Sequence, residues 1–206
     1  MPRYGMVIDL DRCQGCHACA FACRAENATP HYMFWSKVLL GEKGTYPNSR
    51  MTYTPVLCNH CDNPPCVPVC PVGATTKRQD GIVLVDYDKC IGCGACVQAC
   101  PYDARHILEK LVPYWDDKMW TTPYEQAKPE NMRANVAQKC TFCKDRVERG
   151  QEPACVQTCV SFARFFGDLD DPSSEVSRLI QERKGAQPNP ELGTGPCVYY
   201  LPAKRY

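Results

Sequence analysis

The 206-residue sequence lacks the long apolar run that a membrane-spanning helix needs. No stretch approaches the roughly 18 consecutive apolar residues that such a helix requires. The first residues, MPRYGMVIDLDRC, also contain no apolar segment of signal-peptide length followed by a small-residue cleavage site. We therefore expect a soluble chain with no membrane span of its own, whose export would depend on a partner.

The sequence also lacks the usual motifs for substrate and nucleotide chemistry. It contains no G-x-S-x-G, no P-loop and no G-x-G-x-x-G, which argues against a serine hydrolase, a nucleotide triphosphatase and a dinucleotide-binding enzyme. Basic residues are scattered, with no Lys/Arg stripe interleaved with aromatics, so nucleic acid is not expected as a partner. No residue is predicted to be catalytic.

Cysteine, in contrast, is abundant. The chain has 17 cysteines, and sixteen of them fall into four groups of four. The first and third groups share the spacing C-x2-C-x2-C-x3-C. The groups are Cys13, Cys16, Cys19, Cys23; Cys58, Cys61, Cys66, Cys70; Cys90, Cys93, Cys96, Cys100; and Cys140, Cys143, Cys155, Cys159.

This spacing predicts cubane 4Fe-4S clusters, each of which needs four thiolates. In the bacterial ferredoxin run, three cysteines bind one cluster and the fourth binds its neighbour. Sixteen ligands therefore predict four 4Fe-4S clusters. Each oxidised cluster with its thiolates carries about −2, so the formal charge of +1 becomes roughly −7, which further disfavours nucleic acid.

Strand and turn signals place the groups in two modules. A short hairpin is predicted between the second and third groups, with its turn at Asp80-Gly81, and these groups form a two-cluster ferredoxin pattern. Strand candidates at 4–10 and 163–167 flank the first and fourth groups. We predict an α+β fold with two ferredoxin-like 2x(4Fe-4S) modules, one inserted in the other, plus a connector and a C-terminal tail. The predicted outer module is 1–52 plus 132–206, and the inner module is 53–131.

Crossed ligation within each module gives four predicted ligand sets, because the C-x3-C spacing lets a short helix carry the last thiolate away from the preceding turn. Set one is Cys13, Cys16, Cys19 and Cys159; set two is Cys23, Cys140, Cys143 and Cys155; set three is Cys58, Cys61, Cys66 and Cys100; set four is Cys70, Cys90, Cys93 and Cys96.

Other metal and thiol chemistries fit the sequence less well. A disulfide scaffold fits poorly, because such scaffolds are small and do not usually present repeated C-x2-C pairs. The fourth group, taken alone, also fits a four-cysteine zinc site. His17 and His60 lie beside cysteines, but the cysteine count leaves no ligand position for a Rieske-type histidine. His60 remains a candidate for a hydrogen bond that tunes a cluster.

The remaining features are expected to be structural. Cys197 has no cysteine neighbour and is predicted to be a buried, unreactive thiol. A helix is predicted from about 174 to 183, capped by Ser173. The connector between 101 and 139 is rich in Pro and aromatics, and is expected either to pack over the modules or to form a partner-docking surface. His31 and His106 are predicted to be ordinary surface or interface residues. The connector aromatics are Tyr102, Tyr114, Trp115, Trp120 and Tyr124.

The four groups, CQGCHACAFAC, CNHCDNPPCVPVCP, CIGCGACVQACPYDAR and CTFCKDRVERGQEPACVQTC, resemble those of a known family. The chain is similar to the four-cluster iron-sulfur subunit of dimethyl sulfoxide reductase family molybdopterin oxidoreductases, over about residues 3 to 170. The polysulfide, thiosulfate and respiratory arsenate reductase subunits look most similar. The first and fourth groups depart from the inner ones because they end in Cys23-Arg24 and Cys159-Val160, without proline.

The resemblance implies a non-catalytic electron-transfer subunit. It would relay single electrons between a large molybdopterin catalytic subunit, facing the Cys13 end, and a quinol-interacting membrane subunit or cytochrome nearer set four. It also implies a periplasmic or outer-face location by co-export with a signal-bearing partner, with a cytoplasmic complex as the alternative. Two other functions compete with it: a free polyferredoxin-type carrier between soluble enzymes, and a zinc-rich structural module.

Overall fold

The computed structural model describes residues 1–112, 114 and 122–203, and these contain seven strands and six α-helices. The strands are β1 Tyr4–Asp9, β2 Ser36–Lys43, β3 Arg50–Leu57, β4 Thr75–Lys77, β5 Val83–Val85, β6 Arg164–Asp168 and β7 Val198–Leu201. The helices are α1 Ala18–Asn27, α2 Ala95–Gln98, α3 Pro123–Ala127, α4 Lys144–Val147, α5 Ala154–Gln157 and α6 Glu175–Arg183. The mixture of short helices and strands agrees with the α+β prediction.

A three-stranded sheet joins the two ends of the chain. β1 lies in the middle, antiparallel to β6 and parallel to β7, with Met6 opposite both Phe166 and Val198. Met6, Val7 and Ile8 are fully buried, which explains why the apolar run GMVI forms the central strand. The strands predicted at 4–10 and 163–167 are confirmed to within one residue. β7 was not predicted.

Two hairpins complete the strand structure. β4 pairs with β5, and the turn between them contains Gly81 with φ 84°, which agrees with the turn predicted at Asp80-Gly81. β2 pairs with β3 from Ser36 opposite Leu57 to Lys43 opposite Arg50, and this longer hairpin was not predicted. The module boundary predicted at 52/53 falls inside β3.

The main hydrophobic core lies between the sheet and the cysteine loops. Met6, Ile8, Met33, Trp35 and Phe142 pack there together with several cysteine side chains. The cysteines in this core are Cys19, Cys23, Cys58, Cys140 and Cys155. Much of the core is therefore made of side chains that are predicted to bind iron.

The C-terminal helix α6 differs in one detail from its prediction. Its N-cap is Ser174, whose hydroxyl accepts a hydrogen bond from the Ser177 backbone N–H at 3.2 Å. Ser173, the predicted cap, instead donates its hydroxyl to Asp171 at 2.7 Å. The prediction of Ser173 was wrong because two adjacent serines both suit a cap, and only the backbone path decides which hydroxyl faces the free N–H groups.

The described part of the connector packs against α1 and the residues that follow it. The Tyr114 hydroxyl donates to the Thr29 carbonyl at 2.7 Å, and the Tyr124 hydroxyl donates to the Arg24 carbonyl at 2.8 Å. The two rings also meet edge to face. Trp115 and Trp120 lie outside the described residues. In the part that the structure describes, no helix is long and apolar enough to cross a membrane.

Candidate metal centres

Three small cavities are each lined by four cysteines from different parts of the chain. In every case the four are those of one predicted set: set one, set three or set four. Three cysteines come from one group and one comes from the group with which it was predicted to pair. The structure therefore brings together the cysteines of three predicted sets, although the assignment of ligands to clusters stays a prediction.

The cysteines of set two also meet, at a buried position where α1 contacts α5. Asn27 bridges them, because its amide lies 3.7 Å from Cys23 Sγ and 3.9 Å from Cys143 Sγ. Burial, followed by the proximity of Cys140, Cys155 and Cys143, holds the pKa of Cys23 well above its ordinary value. The fourth group thus joins the first across about 120 residues of sequence, as its spacing alone could not show.

The first C-x2-C turn of each group uses a left-handed residue immediately before its second cysteine. Gly15 and Gly92 supply it in the first and third groups, with φ of 66° and 68°. His60 and Phe142 supply it in the second and fourth groups, with φ of 44° and 52°. Only glycine adopts this conformation without strain. The rings of His60 and Phe142 stack with centroids 3.8 Å apart, which offsets part of that cost.

A short helix covers the first cysteine of the C-x3-C segment in three of the four groups, and in the first group it also reaches the last cysteine, as predicted for every group. α1 carries both Cys19 and Cys23, and α2 carries Cys96, with Cys100 just beyond its end. α5 likewise carries Cys155. In the second group, hydrogen-bonded turns replace the helix, and the Cys70 N–H donates to the Val67 carbonyl.

Backbone N–H groups point at several of these sulfurs. The Ala74 N–H donates to Cys70 Sγ at 3.2 Å, and the Ala163 N–H donates to Cys159 Sγ at 3.3 Å. Burial alone would raise the pKa of both thiols, but these and neighbouring N–H groups outweigh it and lower the pKa. Donation to a thiolate favours its charged form, which is the form that binds iron.

The interior thiols have the opposite character. Burial first, and the neighbouring cysteines second, raise the pKa of Cys140 well above its ordinary value and that of Cys61 to about 12. Burial also raises the pKa of Cys155 to about 11. Crowded buried thiolates are unfavourable unless a positive centre compensates them, and a coordinating metal deprotonates a thiol outright. The donor set therefore suits an iron centre.

Two buried hydrogen-bond donors without partners test whether a cluster fits the cavity of set three. His60 Nδ1 accepts a hydrogen bond from the Val83 N–H at 3.0 Å, so its proton resides on Nε2, which makes no hydrogen bond. Arg105 Nη2 is also buried without a partner. Both residues line the cavity of set three. Buried donors are normally satisfied, and the thiolates and sulfides of a cluster would accept from them.

A single metal ion fits these positions less well than a cluster. Among the residues that the structure describes, no group of three or more His, Cys, Asp or Glu side chains is arranged to hold one ion. In a cubane, each thiolate bonds a different iron atom, so the four sulfurs surround a volume rather than a point. Cavities lined by four separated cysteines have this form.

The four histidines take different positions. His17, at φ 60°, caps α1 and lines the cavity of set one, where the four cysteines are already present. His60 is fully buried, and burial, followed by the charges of Lys139 and Arg105, holds its pKa well below the ordinary value even though the nearby Cys140 backbone acts to raise it. His31 stacks on Tyr32 with centroids 3.9 Å apart. His106 forms a bridge to Gln138.

Cys197 is fully buried, as predicted, and lines none of these three cysteine cavities. Burial and the nearby Asp62 raise its pKa to about 12. At pH 8 only about one thiol in 10⁴ would be ionised. We expect native holoprotein to resist alkylation by iodoacetamide at this position, and protein unfolded in denaturant to be labelled there, as mass spectrometry of the Cys197 peptide would show. Rapid labelling of the folded protein would contradict this.

Sequence reasoning missed three buried cations beside the cysteine sets. They are Arg105, Lys139 and Arg164. A signal was present for two of them, because CPYDAR and CVSFAR place an arginine five residues after the last cysteine of the third and fourth groups. Lys139 gave no such signal. It directly precedes Cys140, but Lys89 directly precedes Cys90 in the same way and is 65% exposed.

Comparisons with known proteins agree with this picture. One family described as a 4Fe-4S dicluster domain matches residues 49–112 and 108–169, and a second with the same description matches residues 12–74. The prediction of ferredoxin-like 4Fe-4S dicluster domains is therefore confirmed.

Several named proteins are similar over nearly the whole chain. A Halobacterium salinarum protein named as a dimethyl sulfoxide reductase iron-sulfur subunit is 45% identical over 98% of this chain and 79% of its own length. The arsenate respiratory reductase iron-sulfur subunit of a Shewanella species is 42% identical, covering 97% and 96%. The corresponding polysulfide reductase protein of Wolinella succinogenes is 37% identical, covering 98% and 96%.

Proposed function

This chain is a member of the iron-sulfur subunits of the dimethyl sulfoxide reductase family, and from that premise we propose how its cysteines and surfaces divide the work of electron relay. It is a non-catalytic electron-transfer subunit with 4Fe-4S clusters as cofactors. Such clusters supply one-electron chemistry when bound.

We propose that sets one to four each hold one cluster. The observation that carries this is the meeting of four cysteines from two distant groups at each of three cavities. Electrostatic contacts between sets support the order one, two, three, four. Cys19 of set one acts on Cys155 of set two, and Cys58 of set three acts on Cys140 of set two.

The two ends of this order are the most exposed. Cys16 of set one and Cys93 of set four are exposed, whereas every cysteine of set two is buried. Exposed apolar side chains surround both ends: Val160 (69%) and Phe162 (74%) flank set one, and Ile91 (62%) lines set four. A set two that is shielded from water, with accessible ends at sets one and four, suits a relay between two partners.

The nested arrangement of modules is part of the proposal. The sheet of β6, β1 and β7 supports the grouping of the first and fourth groups in an outer module, while the β4–β5 hairpin lies between the second and third groups. The boundaries 1–52 plus 132–206 and 53–131 are retained as proposed limits. Since β3 contains both residue 52 and residue 53, the hairpin of β2 and β3 belongs to both modules.

We propose a large molybdopterin catalytic subunit as the partner at the set one end. A quinol-interacting membrane subunit or cytochrome is proposed as the partner at the set four end. The complex is proposed to lie at the outer face of the cytoplasmic membrane or in the periplasm. The names of the relatives, as iron-sulfur subunits of reductases, support the first partner. The exposed apolar residues at both ends support two separate docking surfaces.

Metal analysis and gentle purification test this function. We expect about sixteen iron and as many labile sulfides per chain, together with recovery of a molybdenum-containing subunit. About twelve iron plus one zinc would show that the fourth group is a zinc site. A stable isolated chain that reduces soluble enzymes, with no large subunit recovered under any gentle condition, would instead identify a free carrier.

The docking surfaces lead to a separate prediction. Ile91→Asp should slow electron entry or exit at the set four end, and Phe162→Asp should weaken binding of the catalytic subunit, since each places a charge in an apolar contact. Rapid-mixing kinetics and co-purification measure the two effects, which we expect to be tenfold or more. The control is Leu192→Asp, since Leu192 is 47% exposed but lines none of the cysteine cavities. Equal effects of all three variants would contradict the assignment.

A further inference from the structure

Three cationic side chains are almost fully buried beside the cysteine sets. Arg164, Lys139 and Arg105 are 3%, 2% and 1% exposed. Buried charges normally have an opposite charge as partner. Among the described residues, however, none of the three forms a salt bridge with a carboxylate. The negative groups near them are the cysteine sulfurs.

Arg164 lies where set one adjoins set two. Its Nη2 donates to Cys19 Sγ at 3.3 Å and to the Ser36 hydroxyl at 3.4 Å, and the residue lines the cavity of set one. Burial acts to lower the pKa of its guanidinium, but Cys155 and Cys19 outweigh burial and raise it. Because Cys19 belongs to set one and Cys155 to set two, a single charge faces both sets.

Arg105 takes the corresponding place between sets three and four. It lines the cavity of set three, and its Nη1 donates at 3.1 Å to the hydroxyl of Thr75, which lines the cavity of set four. Burial acts to lower the pKa of Arg105, while Cys66 and Cys58 of set three and Cys96 of set four raise it overall. Arg105 and Arg164 are thus equivalent in two ways. Each lies five residues after the last cysteine of its group, and each faces two neighbouring cysteine sets.

Lys139 occupies the remaining interval, between sets two and three. Its Nζ donates to the carbonyl of Cys140 in set two at 2.7 Å, and also to the carbonyl of Val83. Val83 lines the cavity of set three. Burial raises the pKa of Cys140 and of Cys66, and the charge of Lys139 opposes that rise in both thiols. Each of the three intervals therefore contains one buried cation.

We propose that Arg164, Lys139 and Arg105 act as one fixed cation per interval, each raising the reduction potentials of the two clusters that adjoin it. The proposal rests on the ligand sets of the proposed function. Each reduction adds one negative charge to a cluster that is already negative. A buried cation favours that added charge, because Coulomb interactions in the protein interior are much stronger than in water. The same cation offsets repulsion between neighbouring reduced clusters.

The test is a redox titration of the holoprotein in its complex, monitored by electron paramagnetic resonance. In Arg164→Gln we expect the equilibrium constant for reduction to fall about tenfold, about 59 mV for a one-electron couple, at clusters one and two only. Lys139→Gln should act on clusters two and three, and Arg105→Gln on clusters three and four. A purely structural role would not produce three overlapping pairs.

Charge-retaining variants and surface controls complete the design. Arg164→Lys, Lys139→Arg and Arg105→Lys should leave the potentials near those of the wild type. Lys89→Gln is the matched control for Lys139→Gln, because Lys89 also precedes a cysteine but is exposed; Arg178→Gln is the exposed arginine control. Unshifted potentials in fully loaded glutamine variants, or equal shifts in the charge-retaining variants, would overturn the proposal.

Iron content separates the remaining outcomes. If the glutamine variants lose iron while the charge-retaining ones keep it, the adjoining clusters that remain decide: lowered potentials there support the proposal, and unchanged potentials overturn it. If both kinds lose iron, side-chain shape is decisive and the proposal fails. Wild-type protein with clearly fewer than about sixteen iron per chain would instead refute the proposed ligand sets themselves.

Discussion

Replacement of Cys159 by serine is expected to remove or convert the cluster at the Cys13 end and to leave the cluster of Cys140, Cys143 and Cys155 in place. Cys159 is the last cysteine of the fourth group in sequence, yet it lines the cavity of Cys13, Cys16 and Cys19. A cubane that loses one of four thiolates is destabilised, so iron should fall from about sixteen to between about fifteen and twelve per chain. Iron analysis and electron paramagnetic resonance measure this.

Cys197→Ser is the matched control for that variant. Cys197 is the one cysteine outside the four groups, and its side chain is fully buried away from the cysteine cavities. We expect it to retain the full iron content and unchanged spectra. If Cys159→Ser instead removed only the cluster of Cys140, Cys143 and Cys155, ligation would be local within the fourth group and the crossed sets would be incorrect.

Removal of iron is expected to unfold the chain at 25 °C. Structural zinc sites in small peptides contribute about 10–16 kcal/mol each, and a cluster held by four thiolates is likewise coupled to folding, whereas a whole domain is stable by only about 5–15 kcal/mol. The stabilising free energy that is lost with four clusters therefore exceeds the net free energy of unfolding of a domain of this size. The core is also exceptionally dependent on these residues, since five cysteines lie within its main cluster.

This expectation is checked on protein chelated under anaerobic, reducing conditions, so that disulfides do not form. Circular dichroism should lose its strand and helix signals, and limited proteolysis should cut within β1, which is buried in the holoprotein. Reconstitution with iron and sulfide should restore both measurements. A cooperative thermal transition in the iron-free chain would show that the sheet and its apolar core suffice for folding.

The local elements could be predicted because their causes lie close together in sequence. The apolar run before Cys13 and the Asp80-Gly81 turn each specify a strand or hairpin through nearby residues. β7 could not be found in this way. It is four residues long, and it forms because Met6 and Asp9 of β1 offer a free edge to Val198 and Leu201. Strand pairing over nearly 200 residues leaves little local signal.

The left-handed residues of the cysteine loops could likewise be predicted only where the sequence contains a local signal. Gly15 and Gly92 are readable as turn glycines, because glycine alone has no Cβ to oppose positive φ. His60 and Phe142 occupy the equivalent positions without any such signal. Their conformation is stabilised by the stacking of two rings from opposite halves of the chain. Only the assembled structure contains that contact.

The sequence by itself determined the number and type of candidate ligands. Four groups of cysteines, each with a C-x2-C and a C-x3-C pair, indicate cubane clusters, because these pairs can be recognised locally before the distant group that supplies the remaining thiolate is known. Only the tertiary structure decided what surrounds the sulfurs. Arg164, Lys139 and Arg105 are ordinary basic residues in the sequence, and they lie beside the cysteine sets because distant strands and loops bury them there. Burial is a property of the packed chain, and it turns an ordinary surface charge into one that acts on a cluster.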